Sequence, residues 1–211
     1  DVPKIKNKNI IRLDPNEIAQ LLDEAESGEK LSGRQLASHE KTKVRDVAIL
    51  TLLLGTGIRV SECVGLNLED VDFNNGAIRI IRKGGNEALI YFGDEVSQAL
   101  EAYMNGSRKT AEPAAGHEEA LFISLNKTRI TTRSVERLVK KYSRLVTTVK
   151  KITPHKLRST FGTALYQETG DIYLVADTLG HKDVNTTKKH YAAIDEHRRR
   201  MAANVVKLRE S

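Results

Sequence analysis

Tyr191 stands ten residues after the triplet Leu179-Gly180-His181. Upstream lie His155-Lys156-Leu157-Arg158, a lysine (Lys83) in a Gly-rich turn, and Thr56-Gly57-Ile58-Arg59-Val60-Ser61-Glu62. These segments supply two guanidiniums, two imidazoles, an ammonium and a phenol, without a carboxylate cluster suited to a metal. Attack on a phosphodiester builds extra negative charge on the non-bridging oxygens, and fixed cations that meet this charge supply most of the catalysis. Arginine suits the task because its planar fork stays charged and binds phosphate bidentately. A tyrosine nucleophile stores the bond as a phosphotyrosine and so allows resealing. The set points to metal-free breaking and rejoining of DNA. A zinc site from His155, His181 and His190 has only His181/His190 as a close pair, which fits zinc spacing poorly.

Elements must bring these residues together, and the sequence suggests which. Asp14-Pro15-Asn16-Glu17 announces a helix with a capping box, its apolar face Ile18, Leu21, Leu22 and Ala25. The polar stretch 27–41, with Gly28 and Gly33, reads as a loop or short surface helix. A buried helix follows over 42–54, ended by Gly55 and Gly57. Arg59 to Leu66 reads as a short helix, with Glu62 three residues after Arg59 on the same face. The period then becomes strand-like, with Asn74-Asn75-Gly76 and Lys83-Gly84-Gly85-Asn86 as turns. This predicts a three-stranded antiparallel sheet carrying Lys83 at the tip of its second hairpin. Helices are expected from Asp94 to about 104, then over about 132–146, 154–168 and 172–179. A short helix should carry Tyr191, and a last amphipathic one should span about 195–208. The fold class is mainly α with a small antiparallel sheet.

Charge is distributed unevenly. Of the net +6, residues 1–125 carry 15 Lys+Arg against 20 Asp+Glu, whereas 126–211 carry 19 against 8. Eleven basic residues and one acid, Glu136, lie between Asn126 and Arg158. Such a stripe is the footprint of a polyanion partner. Arg133, Arg137, Lys140, Lys141, Arg144 and Lys156 are the candidate DNA contacts. No apolar run approaches the ~20 residues that span a bilayer. The single cysteine, Cys63, excludes an internal disulfide and fits a reducing cytoplasm.

These motifs, in this order, resemble the tyrosine recombinase (phage integrase) family, most closely the Xer-type recombinases and conjugative-transposon integrases. The resemblance covers about 13–194 and implies the tyrosine recombinase catalytic-domain fold. It implies that Arg59, Lys83, His155, Arg158 and His181 surround the scissile phosphate and that Tyr191 attacks it. It further implies a 3′-phosphotyrosyl intermediate, Lys83 as general acid, His155 as proton acceptor or relay, and Glu62 in support. No metal or other cofactor is implied. The partners are a double-stranded DNA recombination site and further copies of the protein, a tetramer on DNA for the full-length protein. Relatives carry Gly-Lys-Gly where Arg82-Lys83-Gly84-Gly85 stands here, and in many of them the tyrosine lies one residue closer to the histidine.

The expected organisation is a linker over 1–13, resembling the interdomain linker of relatives, a catalytic domain over 14–194, and a C-terminal helix or tail over 195–211. Such a chain reads as a catalytic-domain fragment. The tail has an apolar stripe of Met201, Val205 and Leu208 opposite Arg198, Arg199 and Arg200, fit to dock on a neighbouring protomer or on its own domain. A type IB topoisomerase, which relaxes supercoils without pairing sites, and a non-catalytic DNA-binding module are the competing readings.

Overall fold

The computed structural model describes residues 10–203, 205 and 208. The expected linker therefore lies outside the described residues except at its last positions, as does most of the tail beyond 203. The chain divides into two compact units, the larger being Arg12–Phe161 and the smaller comprising Asp1–Ile11 and Gly162–Ser211.

The larger unit opens with α1 (Pro15–Ser27), whose start follows the capping box read from sequence. The Glu17 N–H donates to Asp14 Oδ1 at 2.9 Å, and the Asp14 N–H donates back to Glu17 Oε1 at 3.1 Å. The next helix, α2 (Gly33–Thr56), is longer than expected. Its first two turns, expected as a loop or a short surface helix, carry His39 into the interior. There the His39 Nε2–H donates to the Ala25 carbonyl at 2.7 Å, tying α2 to the end of α1. Gly55 does not end α2 but lies within it, facing Val96. The end comes at Gly57, whose φ of 68° sets a left-handed cap with its N–H on the Leu53 carbonyl at 3.1 Å.

A five-residue helix, α3 (Val60–Val64), follows at once. The sheet is antiparallel in the order β1 (Val71–Asp72), β2 (Ala77–Ile81), β3 (Glu87–Tyr91). Its register pairs Arg79 with Leu89 and Ile81 with Glu87. Ile78, Ile80 and Ile90 point into the core, while Arg79, Ile81, Leu89 and Tyr91 line the exposed face. Next come α4 (Asp94–Asn105), α5 (Ser107–Thr110) and α6 (Thr132–Ser143). The core gathers Leu21, Ile49, Leu53, Ile78, Leu100 and Val139 from these elements, with Phe122 from the segment before α6 and Leu157 from later in the chain.

Buried polar groups interrupt that core, among them a carboxylate. Asp46 of α2, 1% exposed, accepts from the Tyr142 hydroxyl of α6 at 2.6 Å, from Thr42 at 3.0 Å, and from the Arg45 Nη2–H at 2.9 Å. Burial, and then the charge and hydrogen bond of Asp46, push the Tyr142 phenol well above its ordinary range. A buried carboxylate with this many donors fixes the position of α6 on α2.

The boundary between the units falls inside α7 (Pro154–Thr169), which Thr153 and Pro154 start. The smaller unit adds α8 (Ile172–Leu179), α9 (Val184–His190) and α10 (Ala192–Ala202). The last helix thus begins three residues earlier than its apolar periodicity suggested. The expected stripe residues Met201, Val205 and Leu208 are exposed. Within the smaller unit α10 rests on the end of α7. The Tyr166 hydroxyl donates to Asp195, and the Arg198 Nη1–H donates to the Tyr166 carbonyl at 2.8 Å.

Candidate active site

In the larger unit, four of the expected residues come together around the end of α2. Gly57 takes the left-handed conformation, so the chain turns sharply and presents Arg59 as the residue that opens α3. The Glu62 carboxylate, nearly buried, accepts the Arg59 backbone N–H at 2.8 Å and faces its Nη1 at 3.5 Å. The Arg59 side chain itself remains 44% exposed, available for a ligand. Arg158, only 6% exposed, donates from Nη1 to the Gly57 carbonyl at 2.6 Å. One glycine therefore aims one guanidinium and holds the other. A Cβ at Gly57 would run into the Phe161 ring, so that position has neither the conformational nor the steric room for a side chain.

His155 sits on the first turn of α7, three residues before Arg158, and its side chain reaches solvent. Its pKa is lowered from 6.5 by partial loss of solvent around the ring, then by the charges of Lys156, Arg158 and Arg59. Burial and three nearby cations disfavour the protonated ring, so His155 keeps the lone pair that a proton acceptor needs. Lys83 stands at the exposed tip of the β2–β3 hairpin, whose ends are closed by the Arg82 N–H on the Asn86 carbonyl at 2.7 Å. Among the described residues Lys83 has no hydrogen-bond or ion-pair partner, and its side chain is exposed.

The smaller unit positions the other two. Gly180 ends α8 in a Schellman turn, with φ 72°, its own N–H on Asp177 and the His181 N–H on Ala176 at 2.9 Å. That turn explains the Leu-Gly-His order, since only the residue after such a glycine leaves the helix in a fixed direction. The His181 Nδ1 lies 2.5 Å from the Thr187 hydroxyl. Tyr191 occupies the junction of α9 and α10, with its N–H on the Thr187 carbonyl at 3.0 Å. It is 1% exposed. Its ring packs against Tyr166 at 5.8 Å and His190 at 4.7 Å, and its hydroxyl lies against Gly162 of α7.

The basic set is divided. Val135, Leu138, Val139 and Tyr142 bury one face of α6, leaving Arg133, Arg137 and Lys140 exposed on the other, with Arg144 exposed just beyond its end. Lys156 is half-buried. Lys141 turns inward instead, 3.9 Å from Asp46 and 4.5 Å from the Tyr142 ring centre. Burial lowers its pKa, with Asp46 opposing the shift and Arg45 adding to it. Thr187 and the Gly57 carbonyl were not singled out from sequence. Thr187 carried a faint signal, since it precedes Tyr191 by one helical turn.

Residues 11–198 match the model of the phage integrase family. The chain belongs to that family. It is 39% identical over 152 residues to tyrosine recombinase XerC of Syntrophus aciditrophicus, covering 71% of this chain and 49% of the relative. The chain thus spans about half the length of the curated relatives it matches. Among solved structures it is similar to XerA recombinase, with TM-score 0.73, 27% identity, and coverage of 90% of this chain and 65% of the other. It is similar also to the Tn1549 transposon integrase in complex with circular intermediate DNA, with TM-score 0.67, 27% identity, and coverage of 93% and 66%. The fold is that of tyrosine recombinase catalytic domains, mostly helical with one small antiparallel sheet.

Proposed function

We propose that this protein is a site-specific DNA recombinase that cleaves and rejoins double-stranded DNA through a 3′-phosphotyrosyl intermediate. The observation that carries the reading is the Gly57 turn, which directs Arg59 and holds Arg158 beside a depressed-pKa His155. In the proposed reaction Tyr191 Oη bonds to phosphorus as the bond to O5′ breaks. Arg59, Arg158 and His181 meet the charge on the non-bridging oxygens. The phenol proton passes to His155, and Lys83 protonates the departing 5′-oxygen. Attack by that 5′-hydroxyl, or by one from a partner duplex, reverses the chemistry and frees Tyr191. Glu62 supports Arg59.

The exposed cations of α6 and its end, Arg133, Arg137, Lys140 and Arg144, together with Lys156, support contact with the DNA backbone, whereas Lys141 faces Asp46 instead. The complex of the Tn1549 transposon integrase with circular intermediate DNA favours DNA as the partner here. Exchange of strands between two duplexes needs four active copies, so the full-length protein is proposed to act as a tetramer. A buried lone thiol, Cys63, whose pKa burial pushes up to about 12, is in keeping with action in the cytoplasm. Among the described residues no helix is long and apolar enough to cross a membrane.

A nicked duplex that loses its short 5′ strand on cleavage traps the covalent species for denaturing electrophoresis. The expected result is a protein–DNA adduct that vanishes in Tyr191→Phe while DNA affinity survives. An adduct persisting in Tyr191→Phe, or none formed by the unaltered protein, would overturn the reading.

A further inference from the structure

Thr187 lies in the middle of α9, fully buried, between the two residues of the smaller unit that carry chemistry. Its main-chain carbonyl accepts the Tyr191 N–H, and its hydroxyl meets His181 Nδ1. Several other helical threonines of this chain turn their hydroxyls back to the carbonyl four residues earlier. Thr56 does so at 2.6 Å, Thr160 at 2.7 Å and Thr169 at 2.7 Å, the usual refuge of a hydroxyl within a helix. Thr187 does not. Among the described residues, the one hydrogen-bond partner of its hydroxyl is His181 Nδ1.

That difference fixes the direction of the bond. A buried O–H that donates to nothing costs about 1–3 kcal/mol, so the hydroxyl donates, and Nδ1 accepts. A ring nitrogen that accepts carries no proton, so the neutral imidazole is protonated at Nε2. We infer that Thr187 is a positioning residue which holds His181 as the Nε2–H tautomer, so that a neutral imidazole offers an N–H donor to a phosphate oxygen. The opposite tautomer would offer a lone pair to that oxygen and repel it. The same residue seats Tyr191 through its carbonyl, so donor and nucleophile share one turn of helix as a common reference. This role rests on the phosphotyrosyl reading proposed above.

The test uses this chain with ¹⁵N-labelled histidine, His181 being assigned among its six histidines by its loss in His181→Asn. Ring nitrogen–proton correlation spectra should show an unprotonated Nδ1 and a protonated Nε2. Thr187→Val keeps shape but removes the donor. It should mix the tautomers and slow cleavage of the nicked duplex about 10- to 100-fold, with DNA affinity unchanged. Thr187→Ser, which restores the hydroxyl, should recover both signals and guards against a simple folding defect. A protonated Nδ1 in the unaltered protein overturns the inference, as does Thr187→Val with unaltered spectra and rate. The spectra need no activity, so a protein that formed no Tyr191 adduct would sink the functional reading while leaving the tautomer measured.

Discussion

Replacing Gly57 by alanine should damage fold and chemistry together, and the two losses can be separated. The residue holds φ at 68°, a region that costs an L-residue ~1–2 kcal/mol. The added methyl would also meet the Phe161 ring, an overpacking penalty of ~1–3 kcal/mol. The expected destabilisation is therefore about 2–5 kcal/mol, a large share of the ~5–15 kcal/mol that holds a typical domain together. Gly33→Ala is the matched control. Its φ of 55° brings the same backbone strain, yet a Cβ there meets nothing within 4 Å. Urea denaturation should place Gly57→Ala well below Gly33→Ala in midpoint. Covalent trapping on a nicked duplex, run where both variants are fully folded, should then show the second loss. The Gly57 carbonyl holds the Arg158 guanidinium at 2.6 Å, and a displacement of about 1 Å at a catalytic group costs roughly 10²-fold in rate. Gly33→Ala should cleave normally. If the two variants were equally destabilised, or if Gly57→Ala cleaved at the normal rate, the account of this turn as the anchor of both arginines would fail.

Lys83→Ala should slow cleavage strongly, and a 5′-thio leaving group, which departs without a proton, should restore much of the rate; no restoration removes Lys83 from the acid role. The lowered pKa of His155 gives a sign to the pH dependence. Its proton-accepting form should persist below pH 6.5, so the cleavage rate, measured by single-turnover trapping, should stay flat through 6.5 and fall only at lower pH. Over that same window the unfolded chain binds the proton that the folded state refuses, so this group's contribution to stability also falls as pH drops. Lys156→Ala should move the acid limb upward, and an unmoved limb would assign it to another group. Asp46→Ala would leave the Tyr142 hydroxyl and Arg45 without their buried acceptor, for a loss of about 3–5 kcal/mol in urea denaturation. A loss below about 1 kcal/mol, the range of an ordinary surface pair, would mean that water replaces the carboxylate.

Local chemistry made much of this architecture legible in advance. The Asp14–Glu17 box, the Asn-Gly and Gly-Gly turns and the switch from helical to alternating period each act within a few residues, and the helix α1 and the sheet follow them. The first turns of α2 were not legible, because their burial depends on His39 reaching Ala25 of another helix, and no local pattern encodes that contact. The Arg59–Glu62 pair was readable as a three-residue spacing. The Gly57–Arg158 bond joins residues 101 apart, and the Asp46–Tyr142 bond joins residues 96 apart, so neither leaves a trace in periodicity. Charge counts marked the α6 region as basic but could not tell that Lys141 faces Asp46 while its neighbours face solvent.

The seat of Tyr191 has a kinetic consequence. A phenol with 1% of its surface open, its oxygen against the backbone of Gly162, cannot receive a phosphodiester where it stands. In the proposed reaction, bond-breaking would wait for the segment to swing out, and the apparent rate would be the intrinsic rate multiplied by the fraction of molecules already released. Any contact that loosens this seat speeds the reaction without touching a catalytic group, and any that tightens it slows the reaction just as silently.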